Sequence, residues 1–166
     1  MRALSLTITL LAAAARAQDA APGAEAPVLL DPPPSADEIK RVYDYQENGK
    51  LRGPALLDLV PCLKVDQVKG SPTAFTCVEP ITGPVKKGTI VHAWMQWFCP
   101  KGGKYEDITL QWMFDGQPRS TVDLVVEGLS RTRTWRAQSL TKAGTWQIRI
   151  MRGGKELGLA SITVEP

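Results

Sequence analysis

Downstream of Pro54 the chain alternates apolar and polar residues with a period of two, and turn residues recur at short intervals. That pattern belongs to an all-β sandwich, because successive side chains of an extended strand point to opposite faces. It predicts strands over Leu56 to Gln67, Thr73 to Glu79, Thr89 to Phe98, Asp107 to Phe114, Thr121 to Glu127, Thr132 to Leu140, Thr145 to Met151 and Glu156 to Val164. Asp115-Gly116 and Gly153-Gly154 are dipeptides that accept positive φ at both central positions of a tight hairpin, and Gly102-Gly103 serves a slightly longer loop. Ile108, Leu110, Trp112 and Phe114 fall on one face, as do Trp146, Ile148 and Ile150, so these strands should have one wet side. The stretch from Ile90 to Phe98 differs. Ile90, Trp94 and Phe98 share one face, and Val91, Ala93, Met95 and Trp97 share the other. A strand apolar on both faces is either covered twice or turns its outer face to the helix or a ligand.

Upstream the period changes. Ser35-Ala36-Asp37-Glu38 has the capping-box pattern, in which a hydroxyl and a carboxylate satisfy free amides of the first helical turn. Ile39, Val42, Tyr43 and Gln46 then fall at helical spacing until Asn48-Gly49, which predicts a short helix within residues 35–50. Residues 18–34 are rich in Ala, Pro and acidic groups and end in Asp31-Pro32-Pro33-Pro34, a semi-rigid linker that cannot build a core. Residues 1–17 read as a signal peptide: Met1-Arg2, an apolar run from Leu4 to Ala15, and the small-x-small pattern Ala15-Arg16-Ala17. The expectation is an exported, periplasmic or secreted chain with no transmembrane segment after cleavage. Its fold would be mostly β, an Ig-like antiparallel sandwich of about eight strands over residues 54–166, with one short N-terminal helix.

Charge and cysteines narrow the picture. The formal charge is +3, but Arg2 and Arg16 leave with the leader, so 18 basic residues face 17 acidic ones at about +1. With export, that balance disfavours nucleic acid as a partner. A hydrophobic share of 43% suffices for one packed core. Three cysteines in an oxidising compartment imply one disulfide and one cysteine left over. Three pairings are open. A two-residue hairpin at Lys69-Gly70 would set Cys62 opposite Cys77, which favours that pair. Cys99 is then a buried thiol or a handle for an intermolecular bridge.

The order His92-x-Trp94, then Arg131-x-Arg133-Thr134 with Ser139, then Gly144-x-Trp146-x-Ile148 and a Gly-Gly hairpin closing on Ile162-x-Val164 resembles the bacterial "domain of unknown function 2914" family. The resemblance covers roughly Phe75 to Glu165. It implies a small β-rich domain of bacterial envelope or secreted proteins, with no activity or ligand to carry over. The chain departs from the pattern in its cysteines and in the loop from Lys101 to Lys104.

Candidate chemistry is sparse. His92 is the lone histidine, and a dyad with Cys77 requires the third predicted strand to pair with the second. No phosphate loop or Gly-x-Ser-x-Gly elbow is present in the sequence. No spacing of Cys and His suits zinc, and loop oxygens around Glu106 and Asp107 are the one place for calcium. No cofactor is implied. Arg131, Arg133 and Trp135 share a face that could stack a sugar or hold an acidic group, but the simpler account is that Trp135 is core and the strand bulges so that the Arg residues reach solvent. Trp97 with Lys101 and Lys104 makes a second candidate patch, again with core packing as the alternative. The expected function is therefore a non-enzymatic binding module for an envelope protein or polysaccharide, with linker and helix as spacer and lid. The rivals are a small hydrolase using His92, or a structural subunit cross-linked through Cys99.

Overall fold

The structure, a computed structural model, describes residues 33–48, 53–99, 102–128 and 131–166. The expected leader, and the linker up to residue 32, lie outside the described residues. Helix α1 (Ala36–Asn48) opens as the capping box requires. The Ser35 amide donates to Glu38 Oε2 at 2.8 Å, and the Glu38 amide donates to Ser35 Oγ at 3.1 Å.

The alternation resolves into β1 (Ala55–Val65), β2 (Cys77–Pro80), β3 (Val85–Lys86), β4 (Ile90–Phe98), β5 (Lys104–Phe114), β6 (Gln117–Glu127), β7 (Thr132–Ser139), β8 (Gly144–Arg152) and β9 (Lys155–Glu165). One sheet has the order β2-β1-β4-β7 and the other β3-β9-β8-β5-β6. All neighbours are antiparallel except β3 and β9. The chain crosses between the sheets after β2, β3, β4, β6 and β7, in the manner of an Ig-like sandwich. The tight hairpins carry the expected backbone: φ is 47° and 75° at Asp115 and Gly116, and 53° and 80° at Gly153 and Gly154.

Side-chain parity builds the core. Val91, Ala93, Met95 and Trp97 of β4 meet Ile108, Leu110 and Trp112 of β5 and Trp146, Ile148 and Ile150 of β8 between the sheets, all nearly or fully buried. Among the described residues Arg152 is the buried charge. Its Nε reaches both carboxylate oxygens of Asp107, at 3.0 and 2.8 Å, and its guanidinium lies over the Tyr105 ring.

Two differences from the sequence pattern have physical causes. The two-residue β3 is too short to show alternation. The strand expected from Thr73 begins only at Cys77, and no hairpin forms at Lys69-Gly70. Instead Asp66, Ser71 and Thr73 turn their side chains onto one another and onto local amides, offering the backbone an alternative to the ladder.

Gly144 begins β8 at φ +133°, and a Cβ there would come within 3.0 Å of the Phe114 ring. Both the backbone and the space require glycine. Gly144→Ala should therefore cost about 1–3 kcal/mol and lower the midpoint of thermal unfolding by several degrees, measured by calorimetry. An unchanged midpoint would contradict this placement of the β8 start.

Candidate functional site

The outward face of the four-stranded sheet gathers most of the residues that the sequence singles out. Trp94 of β4 stands directly across from Trp135 of β7, and Gln96 across from Arg133. Residues 66–76 fold over this pair. The Trp94 indole donates to the Phe75 carbonyl at 2.8 Å, the Phe75 and Trp135 rings stack at 6.1 Å, and Arg133 Nη1 donates to the Ala74 carbonyl at 3.0 Å. Phe75 holds φ +60°, a strained conformation for a bulky residue, and its amide is tied to the Asp66 carbonyl at 2.6 Å.

A Cys62–Cys77 disulfide closes the loop at its base, with the two Cα atoms 5.9 Å apart. The cysteines are not opposite each other as the tight hairpin required. Cys62 pairs with Pro80 and Val65 with Cys77, and irregularities between those positions bring the sulfurs together. Cys62, Val65 and Trp94 form a second small core here, with Val60, Cys77 and Trp135 packed against it. The outer face of β4 is thus covered at Trp94 by the chain's own loop, while Ile90 stays 58% exposed.

The helix is fastened to the neighbouring part of the same face. Arg131 Nη2 reaches Glu38 Oε2 at 3.0 Å, Gln96 Nε2 donates to Glu38 Oε1 at 3.0 Å, and Arg41 Nη1 donates to the Leu57 carbonyl. Partial burial opposes ionisation of Glu38. The Ser35 amide and the Arg131 guanidinium outweigh it and hold the carboxyl below its ordinary value of 4.5.

Arg131, Arg133 and Trp135 therefore share a face, but they hold the helix and the loop in place. The second patch does not assemble. Trp97 is wholly buried with its indole donating to Thr134 Oγ1, as its parity with Val91, Ala93 and Met95 requires. Lys104 is exposed and pairs with Glu106 at 2.6 Å, and Lys101 lies outside the described residues. The Cys77–His92 dyad is also not formed, because β1 separates β2 from β4: His92 is across from Cys62, and Cys77 is in the disulfide. His92 Nδ1 is buried without a hydrogen-bond partner among the described residues. Cys99 is 1% exposed, and burial raises its thiol pKa, so it is not presented for cross-linking. Gly144 and Trp146 are structural: the Trp146 indole donates to the Lys142 carbonyl and its ring packs against Phe114. The carboxylates of Glu106 and Asp107 are taken by Lys104 and Arg152, and no three metal-ligating side chains converge among the described residues.

One surface the strand pattern did not single out is a groove of about 790 Å³ between β1 and β9. Leu56, Leu59, Leu157 and Leu159 give it apolar walls, Gly158 leaves one wall bare, and Arg41, Asp58 and Lys155 stand around it. The signal that could have found it is the run Leu157 to Val164, which contains neither a charge nor a proline.

No protein-family model and no curated protein matches the chain. Among solved structures it is similar to an immunoglobulin-like protein from Pseudomonas aeruginosa, with 17% identity and a TM-score of 0.41 over 70% of this chain and 100% of that one. It is also similar to part of the alkylpurine DNA glycosylase AlkC of Pseudomonas fluorescens bound to DNA, with 10% identity and a TM-score of 0.38 over 51% of this chain. The match spans only 28% of the glycosylase. Scores this low carry nothing about activity, and the fold stands on the strand order above.

The Glu38 contact sets a pH dependence. The folded carboxyl titrates lower than the unfolded one, so its stabilisation is complete above about 4.5 and is lost as pH falls through the folded value. Glu38→Gln should weaken helix docking by about 1.5–3 kcal/mol at neutral pH. Hydrogen exchange at residues 39–43 should show protection that falls on acidification in the wild type and is low and pH-independent in the variant.

Proposed function

We propose that this chain is a non-enzymatic β-sandwich module that works outside the cytoplasm and binds a protein or polysaccharide partner in the cell envelope. The disulfide is compatible with an extracytoplasmic location, where such bonds persist, and the leader read from residues 1–17 agrees with it. No helix among the described residues is long and apolar enough to cross a membrane. The resemblance to the domain of unknown function 2914 family belongs to the same proposal, since that family's setting is the bacterial envelope.

The observation that carries the binding reading is the groove between β1 and β9. Its walls are leucines, a glycine, an alanine and three charged residues, with no Ser, Cys, Thr or His to act as nucleophile or base. Such a lining suits recognition rather than turnover. The hydrolase alternative would have to use His92 without Cys77, and the cross-linked subunit would have to expose a thiol packed in the main core.

The test immobilises the disulfide-bonded chain and challenges it with solubilised envelope proteins and envelope polysaccharides. A defined partner should be retained, and His92→Gln should hold it within about twofold of wild type. Retention of nothing, together with a hydrolytic rate that His92→Gln abolishes, would overturn the reading in favour of an enzyme.

A further inference from the structure

We propose that the free edge of β9 accepts an extended segment of a partner protein as an added strand, its aliphatic side chains entering the leucine-lined groove. This rests on the binding-module reading and narrows the partner to a polypeptide.

The backbone phase of β9 shows which groups are available. Lys87 N–H donates to the Glu165 carbonyl at 2.8 Å, so Glu165 faces the β3 side of the strand. The N–H and C=O of one residue point to the same side, and the sides alternate along a strand, so Ser161 and Leu159 face that edge too. Strand β3 ends level with Val164 and Glu165. Among the described residues, no loop or turn backbone bond reaches Leu159 or Ser161. Both are exposed. Next to them, between Ile81–Pro84 and Ser161–Thr163, a further gap of about 240 Å³ remains. At about 3.3 Å per residue, a partner strand of about five residues fits along Leu157 to Ser161.

The other edges are guarded. On β1 the Leu57 carbonyl accepts from Arg41, the Leu59 N–H donates to Asp58 Oδ1 at 3.0 Å, and Pro61 lacks an N–H while its carbonyl accepts from Ile81 at 2.9 Å. Strand β2 ends in Glu79-Pro80, β6 carries Pro118, Arg119, Asp123 and Glu127, and β7 carries Arg133 and Arg136. Charges, prolines and capped groups are the usual means of keeping an edge from pairing. Only β9, among the described edge strands, runs through Leu157–Val164 with none of them.

The groove defines the incoming side chains. Leucines suit aliphatic residues, and the bare Gly158 lets Leu56 lie close, since a Cβ there would come 2.7 Å from Leu56 Cδ2 and displace it. Arg41 and Lys155 against the single carboxylate of Asp58 leave the rim one positive charge in excess, which favours an acidic residue flanking the aliphatic ones. Alternating donors and acceptors along an edge match another polypeptide backbone, and no aromatic ring in the groove offers a sugar a stacking platform.

The probe is an octapeptide, blocked at both ends, that alternates leucine and serine and carries an aspartate at each end. Titrated into the disulfide-bonded chain, it should give saturable amide shifts at Leu159 and Ser161 and slow their hydrogen exchange. N-methylating alternate peptide amides should weaken binding at least tenfold, as should Ser161→Pro. The N-methylated peptide tests the unaltered protein, so a folding defect in the variant cannot obscure the result. Shifts at no site or on another strand, or equal affinity for the N-methylated peptide, overturn the proposal. A dimer that Ser161→Pro turns into monomer also overturns it, because a second copy then occupies the edge. An envelope partner retained equally by Ser161→Pro overturns strand addition while leaving the module reading intact.

Discussion

Residues 66–76 lie over the outward face of the four-stranded sheet, and the Cys62–Cys77 bond is what keeps them there. Ordering such a loop costs conformational entropy, and Phe75 adds backbone strain of about 1–3 kcal/mol. A disulfide closing a loop of this length contributes about 3 kcal/mol by restricting the unfolded chain. The Trp94 hydrogen bond, the Phe75–Trp135 stack and the Arg133 contact then give the folded loop specific partners. Without the covalent tie, those few contacts would have to carry the whole cost of order.

That closure decides which surfaces are left for a partner. Once Trp94 and Trp135 are covered and Arg131 and Arg133 are engaged with the helix and loop, the aromatic and guanidinium groups that make this face look like a ligand platform already have contacts from within the chain. Helix α1 extends the same logic through Glu38, whose carboxylate is shared between Arg131 and Gln96. The open surface is at the side of the sandwich, where β1 and β9 leave a groove and only β1 has its edge capped, and the proposed recognition falls there. The asymmetry between these two edges connects the fold to its proposed use.

Much of the fold was legible because its cause is local. Alternation located the principal strands, the Ser35 and Glu38 pair marked the helix start, and Asp115-Gly116 and Gly153-Gly154 announced turns that need positive φ. Parity also placed Trp97 beside Val91, Ala93 and Met95, which already argued against a surface role, and the burial of Trp97 follows that rule. What stayed hidden depends on partners distant in sequence. Nothing near Trp94 indicates that Phe75 will cap it, and nothing near Arg131 points to Glu38. The irregular register of β1 and β2 was equally unreadable, since side chains of the loop compete with the ladder through bonds that alternation does not encode. The groove is a property of two strand edges from different sheets, so no single segment displays it.

Indole hydrogen exchange tests the covering of the four-stranded sheet most directly, because Trp94 lies under the loop whereas Trp97 and Trp146 lie in the main core. In a chain with Cys62→Ser and Cys77→Ser, the Trp94 indole should exchange much faster while those of Trp97 and Trp146 stay protected. Equal protection of Trp94 with and without the disulfide would contradict the account, as would the simultaneous loss of protection at all three.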